Sequence, residues 1–544
     1  MISEIHISNF RSIKELTFAP EKLCTLVGPN SAGKSNILKA IDLIIGEGWT
    51  TKAKVARELF YDTSKPIYIS ITLSSPIAFS YFGSGKQIKY VTLEMTLQPL
   101  DCKVRLWENS NHSDNNGRGY YITEDFKKSC HFIYIPSVRD LKDEMRVSSW
   151  TMLGKLMKTI YENYVEIHDG EDNLKTEFEA KIKPAKDFLE ADFTAGTSKV
   201  SFKTFYDSFI EFCKGNSVGI ANTFEPHLNI YNLNWFYKTL QISVKEDFSE
   251  KHFDAEDVGS GMQNLILLSI FQTYAKLSGG KAILAMEEPE LFLYPHAQRE
   301  LYKNFQQLSQ NTQIFYTTHN PNFIDAHRGF EIEIVNKNEE DGTFIYQKNT
   351  EYLNKDNFAA FNSKTYTHFN AERNELFFAN YILLVEGTSD KILWSTLLEE
   401  KWGIDLNKKG ISIIECGGKT GVNYFVGVLN ILGRDNYTAI WDADDDAADT
   451  YNLLATAVAS GIGFEVPVNL ESFLLAKFPG TQFREKKKVE DAYNWSHNVL
   501  VAEIPTEFNL VKENIERYFS PTAEAASAAV ANGDAKETSS KEKK

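Results

Sequence analysis

The chain has 544 residues, 42% hydrophobic and 24% charged, enough for several buried cores at roughly 100–200 residues per domain. Its 58 basic and 74 acidic residues leave a formal charge of −16, which excludes a basic surface over the whole molecule but allows local basic patches. Five cysteines without a CxxC pair argue against a disulfide framework or a zinc site; the start MISEIHISNFRSIKEL is no signal peptide, and no apolar run reaches the roughly 18 residues of a membrane span, so a cytoplasmic protein without membrane partners is expected.

From the amino terminus, Ile5 and Ile7 alternate as in a strand, and Leu23, Thr25 and Val27 lead into a glycine-rich turn. Residues 36–45 then repeat apolar side chains (Ile37, Leu38, Ile41, Ile44, Ile45) at helical spacing. IYISITL and YVTLEMTL within 66–100 read as strands, and HFIYIPSVRD at 131–140 as a strand ending at Pro136. From 145 to 220 the pattern changes to long charged helices with apolar stripes, such as WTMLGKLMKTIYENYVEI and KTEFEAKIKPAKDFLEA. Strands and helices alternate again over 225–350, and the polar stretch 351–380 reads as a connector. Beyond it, YILLVEG, a helix through Lys391–Leu398, ISIIECGG, a helix after Gly421 and YTAIWDADDD form a βαβ pattern, which predicts a parallel sheet covered by helices. The last stretch, 521–544, reads as a disordered tail.

GPNSAGKS at 28–35 follows a predicted strand and opens a predicted helix, the context in which GxxxxGK[ST] binds ATP. Gly28 and Gly33 let the backbone wrap phosphates, Asn30 belongs to the same cofactor loop, Lys34 reaches the β- and γ-phosphates, and Ser35 holds Mg²⁺. Far downstream, KAILAMEEPE at 281–290 ends an apolar strand in two carboxylates: Glu287 suits the metal and Glu288 the attacking water. Alone, such a pair is usually a solvated strand end. VGSGMQNL at 258–265, just before a helix, and QIFYTTHNP at 313–321, which delivers His319 to a strand end, strengthen it.

These motifs together resemble the ATP-binding cassette heads of recombination-repair and chromosome-maintenance ATPases, with NFRSI at 9–13 and EPELFLYPHAQ at 288–298 fitting the same group. The resemblance implies that Ser260, Gly261 and Gln263 form a signature loop completing a second subunit's site, and that His319 is the switch histidine. Glu287 stands where Asp is commoner and Met262 where a polar residue is usual, which points to slow hydrolysis; no Q-loop glutamine is identifiable.

LLVEG at 383–387 sets Glu386 at a strand end, and AIWDADDD sets Asp442 and Asp444 at another; carboxylates on adjacent parallel strands converge at the sheet's carboxyl edge. Such an oxygen-rich group suits Mg²⁺, with Mn²⁺ or Ca²⁺ as alternatives. The pair resembles the Toprim domain of topoisomerases, primases and overcoming-lysogenization-defect (OLD) nucleases. The resemblance implies Asp390 as a further ligand, Glu471 as a weaker one, and a late catalytic lysine among Lys486, Lys487 and Lys488. GGKTG at 417–421 is a phosphate-approaching turn or a plain connector.

ATPase head followed by Toprim is the OLD-family order. The expected fold is α/β: an ABC-type ATPase (1–144 and 225–350) interrupted by a helical dimerisation insert (145–224), a connector (351–379), and a Rossmann-like Toprim nuclease domain (380–520) before the tail. The resemblance implies an ATP-binding and ATP-hydrolysing, metal-dependent DNA endonuclease that is at least a dimer. It places the protein in anti-phage defence, in some relatives beside a helicase-like protein or a retron reverse transcriptase with its nucleic acid. Two other classes stay open: an ATP-driven DNA sensor or clamp whose Toprim domain does not cut, and an effector acting on RNA or nucleotides.

Overall fold

The computed structural model describes residues 1–137, 151–167, 170, 172–173, 202–217, 223–228, 240–245, 251–277, 282–348, 370–443 and 452–520. The chain divides into two compact units, Met1–Ile345 and Tyr346–Lys544. The helical pattern expected at 175–191, the stretch 351–369 and the tail 521–544 lie outside the described residues.

The first unit is built on a twelve-stranded mixed sheet. Its parallel part runs in the order Ile332–Asn338, Leu23–Val27, Gln313–Thr317, Ala282–Glu287, His131–Ile135. Strands buried on both faces need continuous apolar runs, which LCTLV, AILAME and QIFYT supply. The register sets Glu287 beside Thr317 and Thr317 beside Leu26, so three strands end level with one another. The rest of the sheet is an antiparallel wing that includes Ile2–Phe10, Ile13–Phe18, Ile67–Tyr81 and Ser84–Thr96. There the alternation seen in sequence holds, with Ile5, Ile7, Ile69, Ile71, Val91 and Leu93 all buried.

One core lies between this wing and the helix Lys34–Ile45. A second gathers around Ser260–Leu277, a helix apolar on nearly every side and therefore enclosed. The helices Met152–Ile167 and Phe202–Asn216, from the stretch expected to form an insert, pack into that second core through Leu153, Met157, Ile160, Phe205 and Phe209. The helix expected after 258–265 begins within that stretch, at Ser260.

The second unit carries four parallel strands in the order Ile411–Glu415, Tyr381–Val385, Tyr437–Asp442, Gly463–Val466. The chain leaves Tyr381–Val385 to one side and returns on its other side, so the crevice between Tyr381–Val385 and Tyr437–Asp442 is a topological switch point. The helix expected after Gly421 begins earlier, at Lys419, because Gly417 and Gly418 both take positive φ and complete the reversal before it.

Arg434, 2% exposed, holds this sheet to its approach segment. Its guanidinium donates to the carbonyls of Leu376 and Ala379 (both 2.5 Å) and to Asn436 Oδ1 (3.0 Å). Replacing it leaves buried acceptors unpaired. Arg434→Leu is expected to destabilise the second unit by roughly 3 kcal/mol, read by denaturant unfolding; a change under about 0.5 kcal/mol would show that water replaces these bonds freely.

Candidate active sites

Parallel strands bring their carboxyl ends to one edge, and in the first unit four of them deliver chemistry there. Leu23–Val27 runs into the phosphate loop, where Gly28 (φ 137°), Ser31 (φ 63°) and Gly33 (φ 107°) take left-handed conformations. A Cβ on Gly28 would stand 2.0 Å from the Val335 carbonyl oxygen, so no other residue fits without a shift of the neighbouring strand. Lys34, 6% exposed, folds its amine back onto the carbonyls of Gly28 and Pro29, both at 2.8 Å. Burial pulls this ammonium down to about 8, against the attraction of Glu288 and Glu287. An amine so placed gains from an incoming phosphate, which supplies negative charge where water is excluded.

Glu287, 5% exposed, receives the hydroxyls of Tyr134 (2.7 Å) and Ser137 (3.1 Å), the Ser137 amide (3.2 Å) and the Ser35 hydroxyl. Burial pushes its carboxyl up, but the donations from Ser35, Tyr134 and Ser137 outweigh it and hold it below the usual value. Ser35 and Glu287, 252 positions apart in sequence, thus offer adjoining hard oxygen donors, the chemistry a divalent cation takes. Glu288 follows at positive φ (44°), its amide bonded to the Thr317 carbonyl (3.0 Å). Burial, and then the charge of Lys34, pull the His319 imidazole down to about 4, which keeps it neutral and within the field of that lysine.

The signature residues take a different position. Ser260 is exposed at the start of its helix, and a Cβ on Gly261 would stand 2.7 Å from the Phe292 carbonyl oxygen. Gln263 donates to the Glu256 carbonyl (2.8 Å). This helix start therefore packs on the loop after Glu287, with Ser260 facing solvent. Asn9 of NFRSI is buried and donates to the carbonyls of Asp62 and Lys65, a local structural role.

In the second unit the switch point holds the acids. Glu386 follows Tyr381–Val385, and its Oε1 accepts the backbone N–H of Asp442 at 2.9 Å. Asp442 Oδ1 accepts the amide of Leu470 (3.1 Å), which opens the helix Leu470–Lys477 and brings Glu471 alongside. Asp390, 9% exposed, accepts the Gly387 amide (3.1 Å) and so caps its own helix, Thr388–Thr396. Burial pushes its carboxyl up to about 7; the Gly387 bond opposes this, and the charges of Glu386 and Glu471 add to it. Asp444 lies outside the described residues, and among those described no three such side chains close into a metal-holding group.

Among the three late lysines, Lys488 pairs with Glu471 (3.2 Å), whereas Lys487 pairs with Glu490 (2.9 Å) and Lys486 is exposed. The Gly417 and Gly418 amides both bond the Glu386 carbonyl oxygen (2.8 and 2.9 Å), so the glycine turn shapes the backbone beneath the acid. Tyr134, Ser137, Glu290 and Thr318 lie inside the quoted stretches HFIYIPSVRD, KAILAMEEPE and QIFYTTHNP, but no local pattern marks their roles.

Asp390 gives a pH prediction. Its folded-state pKa of about 7 exceeds the ordinary 3.8, so its contribution favours folding at low pH and is lost as pH rises through 7. The metal-free chain is expected to melt at a lower temperature near pH 8 than near pH 5, with Asp390→Asn flattening the difference. A variant profile parallel to wild type would assign the effect to other groups.

Comparison with known proteins follows the same division. A family model described as "AAA ATPase domain" matches residues 1–115 and 108–324. A second, "Overcoming lysogenization defect protein-like, TOPRIM domain", matches residues 377–444. Similar proteins include an OLD nuclease of Thermus scotoductus, 25% identical over 82% of this chain and 84% of its own. The Old nuclease of Escherichia phage P2 is 21% identical over 79% and 75%, and an endonuclease GajA of Bacillus cereus is 24% identical over 82% and 75%. With one model spanning more than half of its length and the other matching behind it, the chain belongs to the AAA ATPase domain family and carries an OLD-like Toprim domain.

Proposed function

We propose that the chain is an ATP-hydrolysing, divalent-metal-dependent DNA endonuclease of the OLD type. The observation that carries this reading is the acid group at the switch point: Glu386 bonded to the Asp442 amide, with Asp390 in the field of Glu386 and Glu471. Carboxylates brought to one sheet edge gain from a cation that offsets their charge. The donors are hard oxygens, which suits Mg²⁺ first and Mn²⁺ or Ca²⁺ next.

In this reading Glu386, Asp442, Asp444 and, once deprotonated, Asp390 hold the ion, and Glu471 supports it. A bound divalent ion supplies polarisation of the scissile phosphate. Lys488, already in reach of Glu471, offers its ammonium to the phosphate oxygens and neutralises charge as the bond breaks. In the ATPase unit, Lys34 and the loop from Gly28 through Asn30 to Gly33 hold the phosphates, with Ser35 and Glu287 placed for Mg²⁺. Glu288 orients the attacking water, His319 donates to the γ-phosphate, and exposed Ser260 with Gly261 and Gln263 completes the site of a second copy. That last role makes the chain at least a dimer.

The same proposal takes the ATPase as 1–144 and 225–350 around a dimerisation insert at 145–224, and the Toprim domain as 380–520. Nuclease names among similar proteins support the activity. A cytoplasmic setting in bacterial defence against phage, with a helicase-like or retron partner, rests on family resemblance alone.

Purified chain is incubated with plasmid, linear duplex and single-stranded DNA, RNA and free nucleotides, plus Mg²⁺ or Mn²⁺, with and without ATP. DNA cleavage is expected for wild type and is expected to vanish in Asp442→Ala, with ATP hydrolysis retained. Cutting by Asp442→Ala at the wild-type rate would remove the assignment of this site. ATP hydrolysis with no cleavage of any substrate would favour a non-cutting sensor. Glu288→Gln is expected to bind ATP normally and hydrolyse it on the order of a hundredfold more slowly, read by single-turnover kinetics.

A further inference from the structure

Two loops meet beside the nucleotide seat, one following Ala282–Glu287 and carrying Glu288, the other following Gln313–Thr317 and carrying His319. The last pair in register is Glu287 opposite Thr317, and the Glu288 amide still bonds the Thr317 carbonyl (3.0 Å), but no strand pairing reaches His319. Something else must therefore fix the relative positions of the two side chains.

The buried residue at their junction is Glu290, 5% exposed. Its Oε1 accepts the hydroxyl of Thr318, and the backbone N–H of His319 also donates to its carboxyl. Thr318 Oγ1 in turn accepts the Asn320 amide (3.0 Å), and the Asn320 side chain donates to Gln298 (2.8 Å). One carboxyl thus grips the residues on both sides of the His319 peptide. On its other flank, the carbonyls of Pro289 and Leu291 accept both bonds from the side-chain amide of Asn264 (3.0 and 2.9 Å). Asn264 lies one turn into the helix that Ser260 opens.

Two further atoms set this loop apart. Glu290 Oε2 and Asn264 Oδ1 are buried without a hydrogen-bond partner among the described residues. Buried polar atoms are nearly always paired, so two orphans on one short path are costly and call for a reason. A carboxyl whose purpose were only to fill space would be replaced at lower cost by an apolar residue of the same shape.

We propose that Glu290 is a positioning residue for ATP hydrolysis, tying the loop of His319 to the loop of Glu288 and, through Asn264, to the helix that starts at Ser260. Contact of a second copy with Ser260 would then be felt at His319 through three short links: the helix, the Pro289–Leu291 backbone and the Glu290 carboxyl. In this role Glu290 acts through Thr318 and the His319 peptide rather than on the nucleotide. The inference rests on the roles given above to Glu288 and His319.

The test is ATP hydrolysis and ATP binding by the full chain carrying Glu290→Leu, Glu290→Gln or Thr318→Val, each also in a His319→Ala background. Glu290→Leu and Thr318→Val are expected to lower kcat by roughly ten- to a hundredfold while the Kd for ATP stays within about twofold. Glu290→Gln, which keeps an oxygen for the Thr318 hydroxyl, is expected to recover most of the rate. In the His319→Ala background neither loss should recur, because the group being positioned is gone. Full additivity with His319→Ala, a parallel rise in Kd, or a wild-type rate in Thr318→Val would each overturn the proposal. Should Glu290→Leu fail to fold, Thr318→Val carries the same comparison with a smaller change. A wild-type chain that hydrolyses no ATP would instead defeat the underlying assignment of Glu288 and His319.

Discussion

The buried carboxylate of Glu287 is the point on which the first unit depends. It gathers hydroxyls from Ser35 and, about a hundred positions on, from Tyr134 and Ser137, two separate stretches of chain. A charge taken out of water is tolerable only when its lone pairs are filled, and here donors from the phosphate-loop helix and a neighbouring strand fill them. The same bonds fix where Ser35 sits, and with it the start of the helix Lys34–Ile45. The phosphate loop, the strand end and the oxygens of Ser35 and Glu287 are therefore one construction, held together by the protein's own hydrogen bonds.

This arrangement follows from the sheet. Parallel strands aligned in register end together, so whatever follows each strand is delivered to a common edge. Val27, Glu287 and Thr317 end neighbouring strands, and the residues just past them are the phosphate loop, Glu288 and His319. Loops alone would leave these groups loosely placed. The buried pairings at Glu287 and Glu290 tighten them, and both consist of carboxylates receiving hydroxyls from distant positions.

How much of this could be read from sequence follows the range of the interaction. The phosphate loop, the EE strand end, the VEG strand and the Asp442 strand are local patterns, and the elements appear where the patterns place them. Helix starts moved by a few residues; at Lys34 and Lys419 this is because glycines at positive φ just before them turn the chain sooner than apolar periodicity reveals. Tyr134 and Thr318 could not be read, since their meaning lies in partners 153 and 28 positions away. Three lysines in a row at 486–488 were equivalent as letters. Only the fold separates them, by giving Lys488 to Glu471 and Lys487 to Glu490.

The two candidate sites share a design, carboxylates at the ends of adjacent parallel strands, yet differ in charge balance. Around Glu287 the chain supplies hydroxyl and amide donors and the nearby ammonium of Lys34, and the carboxyl is held below its ordinary value. Around Asp390 the neighbouring charges are other acids, and the carboxyl is driven up to about 7. The first site is satisfied by the protein and needs a ligand only to act. At the second site Lys488 is bonded to Glu471, and in the proposed reading a divalent ion would complete the acid group. In the proposed reading a proton on Asp390 and a divalent ion would compete for the same oxygens near neutral pH, so occupancy would depend on metal concentration.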